Sequence, residues 1–122
     1  MKKIILITML MGVVFSQDCN RSNWEQYYNS DGHEMTQCEL WRANLRRANL
    51  SGANLSGANF DMAVLKGANL TEANLTGTNL SEAKLEGVVS GCITGTPKIL
   101  PEGWSLVDGR LINDEWGSSI PN

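Results

Sequence analysis

Histidine, cysteine, proline and aromatic residues are all scarce in this sequence. It has one histidine, three cysteines, three prolines and 7% aromatic residues. His33 has no cysteine or second histidine at ligand spacing, so it is a weak metal candidate. The cysteines include no Cys-x-x-Cys pair, a single histidine does not make a catalytic triad, and the carboxylates belong to no recognisable motif. The sequence therefore predicts no catalytic residue, no metal site and no cofactor, and we expect that the protein is not an enzyme.

An excess of basic charge is also absent. The formal net charge is −3, whereas a general nucleic-acid binder presents a basic surface. The charge pattern therefore predicts that the protein does not bind nucleic acid.

The sequence has no apolar run long enough to span a membrane comfortably. The longest run, residues 4–15, follows Lys2 and Lys3 and precedes the small residue Ser16. A basic start, a short apolar core and a small residue at the cleavage point are typical of an export signal. We therefore predict a signal peptide over residues 1–16, a secreted or periplasmic location, and no stable membrane insertion after cleavage.

A period of five residues dominates the centre of the chain. A large apolar residue recurs at every fifth position, a small residue usually stands two positions before it, and asparagine usually stands between the two. The large positions are Leu40, Leu45, Leu50, Leu55, Phe60, Leu65, Leu70, Leu75, Leu80 and Leu85. This period fits neither a helix, which repeats at 3.6 residues, nor a strand, which repeats at 2.

A period of five is satisfied when each pentad forms one side of a four-sided coil. Four pentads then complete one coil, so that Leu40, Phe60 and Leu80 stack in one interior column. Successive coils would lie ~4.8 Å apart, which is the strand spacing of a hydrogen-bonded ladder. The alternation of large and small inward residues would fill the interior. The pattern predicts an all-β solenoid of about two and a half coils over residues 38–95.

The repeat Ala48-Asn-Leu-Ser-Gly-Ala-Asn-Leu-Ser-Gly-Ala-Asn-Phe60 resembles the pentapeptide-repeat family, as do the Arg-rich pentads before it. The resemblance covers about half of the chain and implies the family's right-handed four-sided (quadrilateral) β-helix. Three positions depart from the consensus. Val64 and Lys84 replace an asparagine expected to face outward or to help turn the corner, and Thr78 replaces an inward alanine.

The segments that flank the repeats are expected to cap the coil. Residues 17–37 predict an N-terminal cap with a helix from about residue 23 to 29, because Ser22 and Glu25 have capping-box spacing. Residues 96–122 predict a C-terminal hairpin and tail, because Asp108-Gly109 is a two-residue hairpin signal. Thr94-Gly-Thr-Pro97 and Leu100-Pro-Glu-Gly-Trp104 resemble an element that commonly separates repeat blocks in the family. No further block follows here, so we expect this hairpin to cover the last coil.

The three cysteines leave alternatives open. Cys19 and Cys38 could form a disulfide that ties the N-terminal cap to the first coil, since export permits disulfides. Cys38 also occupies an inward small position, where it could remain a buried thiol. Cys92 falls in an outward column and is a candidate for an intermolecular bridge.

The surface offers one charged cluster, formed by Arg42, Arg46 and Arg47 at the first coil. It could bind an acidic partner or lipid headgroups, or it could be a solvated face. We expect a non-catalytic structural or protein-interaction module, bound to another protein or to itself. The alternative is a carbohydrate- or surface-binding module that uses the flat Ser, Thr and Asn faces. The resemblance also raises DNA mimicry of the gyrase-protecting kind, but those proteins are long, acidic, cytoplasmic and dimeric, so this hypothesis is disfavoured.

Overall fold

A computed structural model of the chain describes residues 4–8 and 14–114. Its regular elements are strand β1 (Ile4–Thr8), strand β2 (Val14–Asp18), helix α1 (Trp24–Tyr28), strand β3 (Trp104–Val107) and strand β4 (Arg110–Asn113). β1 pairs antiparallel with β2, and β3 pairs antiparallel with β4. Among the described residues, no helix is long and apolar enough to cross a membrane.

The predicted signal peptide overlaps β1 and the first residues of β2, and its remaining residues, 1–3 and 9–13, lie outside the described part. The pairing of β1 with β2 does not bear on cleavage. Export therefore remains a prediction.

Between the two hairpins the chain winds as a coil with a repeat of twenty residues. Parallel bridges join residues twenty positions apart, from Glu34↔Asn54 to Asn79↔Ile99. Four pentads therefore make one coil, as the period predicts. The bridged stretch, residues 34–99, extends past the predicted block at both ends and covers more than the predicted two and a half coils. At the start, Met35 fills a large inward position and is fully buried. At the end, Ile99 bridges Asn79, and Leu100, which follows it at a large inward position, is half-buried against the core.

Three backbone hydrogen bonds recur along the pentads, at the leucine, the asparagine and the small residue. The inward leucine donates to the next coil, as in Leu45 N–H to Val64 O at 2.8 Å. The asparagine donates to the previous coil, as in Asn69 N–H to Ala48 O at 2.9 Å. The small residue closes the turn, as in Ala48 N–H to Leu45 O at 3.1 Å. Each side of the coil is therefore a single bridged residue between turns, and this explains why the coil contains bridges but no longer strands.

The interior has the predicted phase. The large inward side chains are at most 1% exposed; they are Met35, Leu40, Leu45, Leu50, Leu55, Phe60, Leu65, Leu70, Leu75, Leu80 and Leu85. The small inward positions are buried as well, except that Ala48 and Val88 are only half-buried. Thr78 is fully buried, and its hydroxyl donates to Leu55 O at 3.1 Å. The departures at Val64 and Lys84 lie on the outside, where they do not disturb the core.

The helix and the second hairpin pack on the coil. Tyr28 is half-buried, and its hydroxyl donates to Ser51 O at 2.9 Å. The predicted capping box at Ser22 is wrong: the N-cap residue is Asn23, and it makes no side-chain capping bond. Its Oδ1 instead accepts from Asn20 N–H at 2.7 Å.

The hairpin of β3 and β4 approaches the coil through both its strands and its turn. Leu111 is buried, and its N–H donates to Ser90 Oγ at 3.0 Å. The Gly109 carbonyl accepts from Ile93 N–H at 3.1 Å.

Candidate interaction surface

The corners of the coil hold the outward side chains in fixed positions. Two residues follow each inward leucine around a corner, and the second of them has a positive φ, as at Arg42 (55°), Arg47 (57°) and Met62 (61°). At most corners where asparagine precedes the leucine, its Oδ1 accepts the N–H of the first corner residue, as in Thr71 N–H to Asn69 at 2.9 Å. This is an Asx turn, so the repeated asparagine helps turn the corner, one of the two roles expected for it.

An exposed tryptophan lies at one of these corners between two arginines. Trp41 is 44% exposed. The guanidinium carbon of Arg42 is 4.8 Å from the Trp41 ring centroid, and that of Arg21 is 5.9 Å away. These are cation–π distances, worth about 0.5–1 kcal/mol each at an exposed site. Arg42 Nε also donates to Met62 Sδ at 3.5 Å, and Met62 is 37% exposed.

The next corner continues the positive charge. Arg46 and Arg47 are exposed, and together with Lys66 and Gly67 they line a shallow depression. Lys66 lies one coil beyond Arg46, since both belong to the pentads bridged by Asn44↔Val64. We call the set of Arg21, Trp41, Arg42, Arg46, Arg47, Met62 and Lys66 the basic-aromatic surface.

The structure brings together all three arginines of the predicted cluster at two successive corners. Sequence reasoning missed the apolar part of this surface, Trp41 and Met62, and also Arg21. Trp41 could have been noticed, because it is a large aromatic residue at a position whose counterparts one and two coils on are Asp61 and Ser81. Arg21 could not, since it precedes the repeats and only the fold brings it to Trp41.

The three cysteines occupy two different environments. Cys19 and Cys38 are both buried, and a disulfide joins them. Cys92 is an exposed free thiol at a corner, with a φ of 53°. The turn at Gly109 lies against its backbone.

Several other polar side chains bond within the scaffold. The hydroxyls of Ser51, Ser56 and Thr76 donate to the asparagine two positions before them, at 2.6–2.8 Å. The ring of His33 stacks on Tyr28, with 4.4 Å between centroids, and its Nδ1 lies against the Tyr28 carbonyl. Within residues 4–8 and 14–114, no group of three His, Cys, Asp or Glu side chains could hold a metal ion.

Comparison with known proteins identifies the repeats. The model of the pentapeptide repeats matches residues 34–67 and 48–87, with eight copies. The chain is similar to a solved pentapeptide repeat protein (Rfr23) from the cyanobacterium Cyanothece 51142, with 37% identity and a TM-score of 0.50 over 56% of this chain. The chain spans 45% of that protein. A second solved structure, the pentapeptide repeat protein alr5209 from Nostoc PCC 7120, gives 23% identity and a TM-score of 0.46, over 74% of this chain and 93% of that one. No curated protein matches the chain.

Residues 34–87 of the chain are therefore pentapeptide repeats. The repeats and the similar structures imply a fold of the right-handed β-helix type.

Proposed function

We propose that this chain is an exported, non-catalytic protein-interaction module that binds its partner through the basic-aromatic surface. The observation that carries the proposal is the half-exposed Trp41, which has Arg21 and Arg42 at its ring, while Arg42 also contacts the exposed Met62. Tryptophan, arginine and methionine are enriched at the centres of protein interfaces, and tryptophan and arginine dominate binding hot spots. The surrounding cations favour an acidic partner.

The coil is suited to this role because it holds the surface rigidly. Arg42 N–H donates to Asp61 O at 2.9 Å, and Met62 N–H donates to Ser81 O at 2.9 Å. The backbone under the surface is therefore already ordered before binding. A preorganised surface loses less conformational entropy when a partner docks. In the proposed arrangement, helix α1 and the hairpin of β3 and β4 act as end caps that protect the coil from edge pairing.

Two features support an extracytoplasmic location. One is the sequence of the first sixteen residues, with Lys2 and Lys3 before an apolar core. The other is the pairing of Cys19 with Cys38 in a buried disulfide, which is typical of oxidising compartments. Cys92, exposed and unpaired, would be available there for a bridge to another chain.

Binding of carbohydrate on the flat polar faces has less support. Such a site needs hydroxyl groups free to bond the ligand, and the hydroxyls of Ser51, Ser56 and Thr76 already donate to asparagine within the same corner. An interaction through the basic-aromatic surface would instead use side chains that the fold leaves exposed.

The test is site-specific photo-crosslinking in the host cell. A photoreactive phenylalanine replaces Met62 in one variant and Glu72 in a matched control. The two positions have nearly the same backbone, with φ of 61° and 62°, but lie at corners two sides of the coil apart. We expect a covalent protein adduct from position 62 and none from position 72. Equal adducts from both positions, or none from position 62, would contradict the proposal.

A further inference from the structure

We propose, resting on the interaction function above, that the partner of the basic-aromatic surface is a second copy of this chain, docked side by side in the antiparallel direction. The evidence is the order of charges along two neighbouring corner columns. One column reads Arg42, Met62, Glu82 and the other reads Arg46, Lys66, Glu86. In both columns the first coil is basic and the coil two steps further is acidic.

The coil keeps these charges in register. The bridges Asn44↔Val64 and Val64↔Lys84 hold the three coils in parallel steps, so arginine and glutamate in one column are separated by about 10 Å, or two steps of ~4.8 Å. Arg42, Arg46, Glu82 and Glu86 are all exposed. The face between the two corners is therefore a strip that is positive at one end and mainly negative at the other, where the exposed Lys84 lies between Glu82 and Glu86.

Such a strip is complementary to itself. A twofold axis that runs along the face at the level of Met62, perpendicular to the axis of the coil, reverses the direction of the second copy. Arg42 then meets Glu82 of the second copy, and Arg46 meets its Glu86. Each contact occurs twice, because a twofold interface uses the same patch on both copies. A parallel arrangement would instead set arginine against arginine.

The middle of the strip supplies apolar contact. Met62 meets its own counterpart on the twofold axis, and Trp41 covers the region of Ser81 in the second copy. The two Lys66 side chains also approach each other, but each can turn along its own column toward Glu86. This arrangement therefore covers the exposed apolar side chains of the basic-aromatic surface. A purely electrostatic role for the arginines would leave them exposed.

The expected dimer is weak and sensitive to salt. A face only a few coils high buries less than the roughly 800 Å² per partner of a standard interface. Standard interfaces reach micromolar affinity or better, so for this smaller one we expect dimers at protein concentrations on the order of 100 µM at low salt. They should dissociate in 1 M salt, where the Debye length falls to about 3 Å.

Charge reversal tests the arrangement, with sedimentation velocity as the readout. All proteins are full-length and carry Cys92→Ser, so that no disulfide joins two copies. One variant carries Arg42→Glu and Arg46→Glu, and another carries Glu82→Arg and Glu86→Arg. We expect each variant alone to remain monomeric where the parent dimerises, and an equimolar mixture of the two to form a heterodimer. Combining all four changes should restore the homodimer, since the strip is then complementary again with its signs exchanged.

The control is Glu72→Arg, which changes an exposed glutamate at another corner and should leave dimerisation unchanged. Thermal melts check that each variant is folded. A parent that stays monomeric up to about 1 mM, roughly ten times the concentration expected for this interface, would overturn the proposal. So would variants that dimerise alone as well as the parent, or a mixture that forms no heterodimer. If the parent is monomeric but position 62 still gives adducts in the host, only the self-association is refuted. If those adducts are absent as well, the interaction function is refuted too.

Discussion

Gly95 offers the sharpest test of how tightly the last coil is packed. It has a φ of +76°, and a Cβ atom added there would lie 1.9 Å from Thr76 Oγ1 and 2.8 Å from both Asn74 Oδ1 and Thr76 N. The Thr76 hydroxyl could rotate away, but Thr76 N and Asn74 Oδ1 are joined in an Asx turn at 3.0 Å. The backbone would therefore have to move to accommodate Gly95→Ala.

The loss of stability expected for Gly95→Ala has two parts. An L-residue in the left-handed region costs about 1–2 kcal/mol, and overpacking a filled site costs about 1–3 kcal/mol. The reduced entropy of the unfolded chain returns about 0.4–1 kcal/mol. We therefore expect Gly95→Ala to lower the free energy of unfolding by about 2–4 kcal/mol. In a domain of this size, each kcal/mol corresponds to about 4–8 °C in melting temperature.

Substitutions at two other glycines separate the cost of backbone strain from the cost of overpacking. Gly103 has a φ of +83° with open space around it, so Gly103→Ala carries only the backbone strain. Gly91 has open space and no positive φ, so Gly91→Ala should leave stability unchanged or raise it by up to about 1 kcal/mol. Thermal and urea unfolding of the three variants, followed by circular dichroism, should rank them with Gly95→Ala least stable. Equal losses at Gly95 and Gly103 would refute the steric argument, and a neutral Gly95→Ala would refute the position assigned to this glycine.

Three further changes test the core, the cysteines and the buried hydroxyl. Leu65→Asp buries a charge and should unfold the coil, whereas the outward Ser56→Lys should alter the melting temperature little; the opposite ranking would contradict the inward phase. Cys38→Ala should lower the free energy of unfolding by about 3 kcal/mol, as expected for a loop closed by residues 19 apart. Cys92→Ser should leave it unchanged. Reductant should lower the melting temperature of the parent but not that of Cys38→Ala. Thr78→Val should cost less than about 1 kcal/mol in urea unfolding, because Leu55 O keeps its bond from Ala58 N–H; a larger loss would mean that the hydroxyl bond is essential.

The interior of this fold could be predicted from the sequence because a single period fixes it. Once Leu65 points inward, the residues five and twenty positions away must do the same, so the pairing of coils follows without any knowledge of the structure. Even the exception at Thr78 could be located, although not the carbonyl of Leu55 that satisfies it. The physical reason is that every inward position has the same steric surroundings, so the same types of residue recur there.

The ends and the outer surface could not be predicted in the same way, because no repetition constrains them. Ser22 has the sequence signature of an N-cap, yet Asn23 occupies that position, because its side chain also holds the preceding loop through Asn20. The structure requires Gly95 to lack a Cβ atom, and the five-residue period gives no sign of that requirement. The contact of Arg21 with Trp41 joins two segments that the period does not relate. These features depend on three-dimensional neighbours that a single sequence does not reveal.

The backbone strain at the corners also points to one side of the coil. Each corner column contains glycine at the left-handed position in at least one coil, except the column of Arg42, Met62 and Glu82, where every residue carries a side chain at positive φ. Side chains retained in a strained conformation suggest a function.

This argument predicts that Met62→Gly stabilises the fold and weakens the interaction. Relief of left-handed strain, about 1–2 kcal/mol, exceeds the entropy cost of an added glycine, about 0.4–1 kcal/mol, so the free energy of unfolding should rise by about 0.5–1 kcal/mol. Glu72→Gly relieves the same strain, since φ is 62° there, and should give the same gain without any loss of dimerisation. If Met62→Gly dimerises as well as the parent in sedimentation velocity, the strain at this corner has another origin, and Met62 does not lie at the centre of the interface.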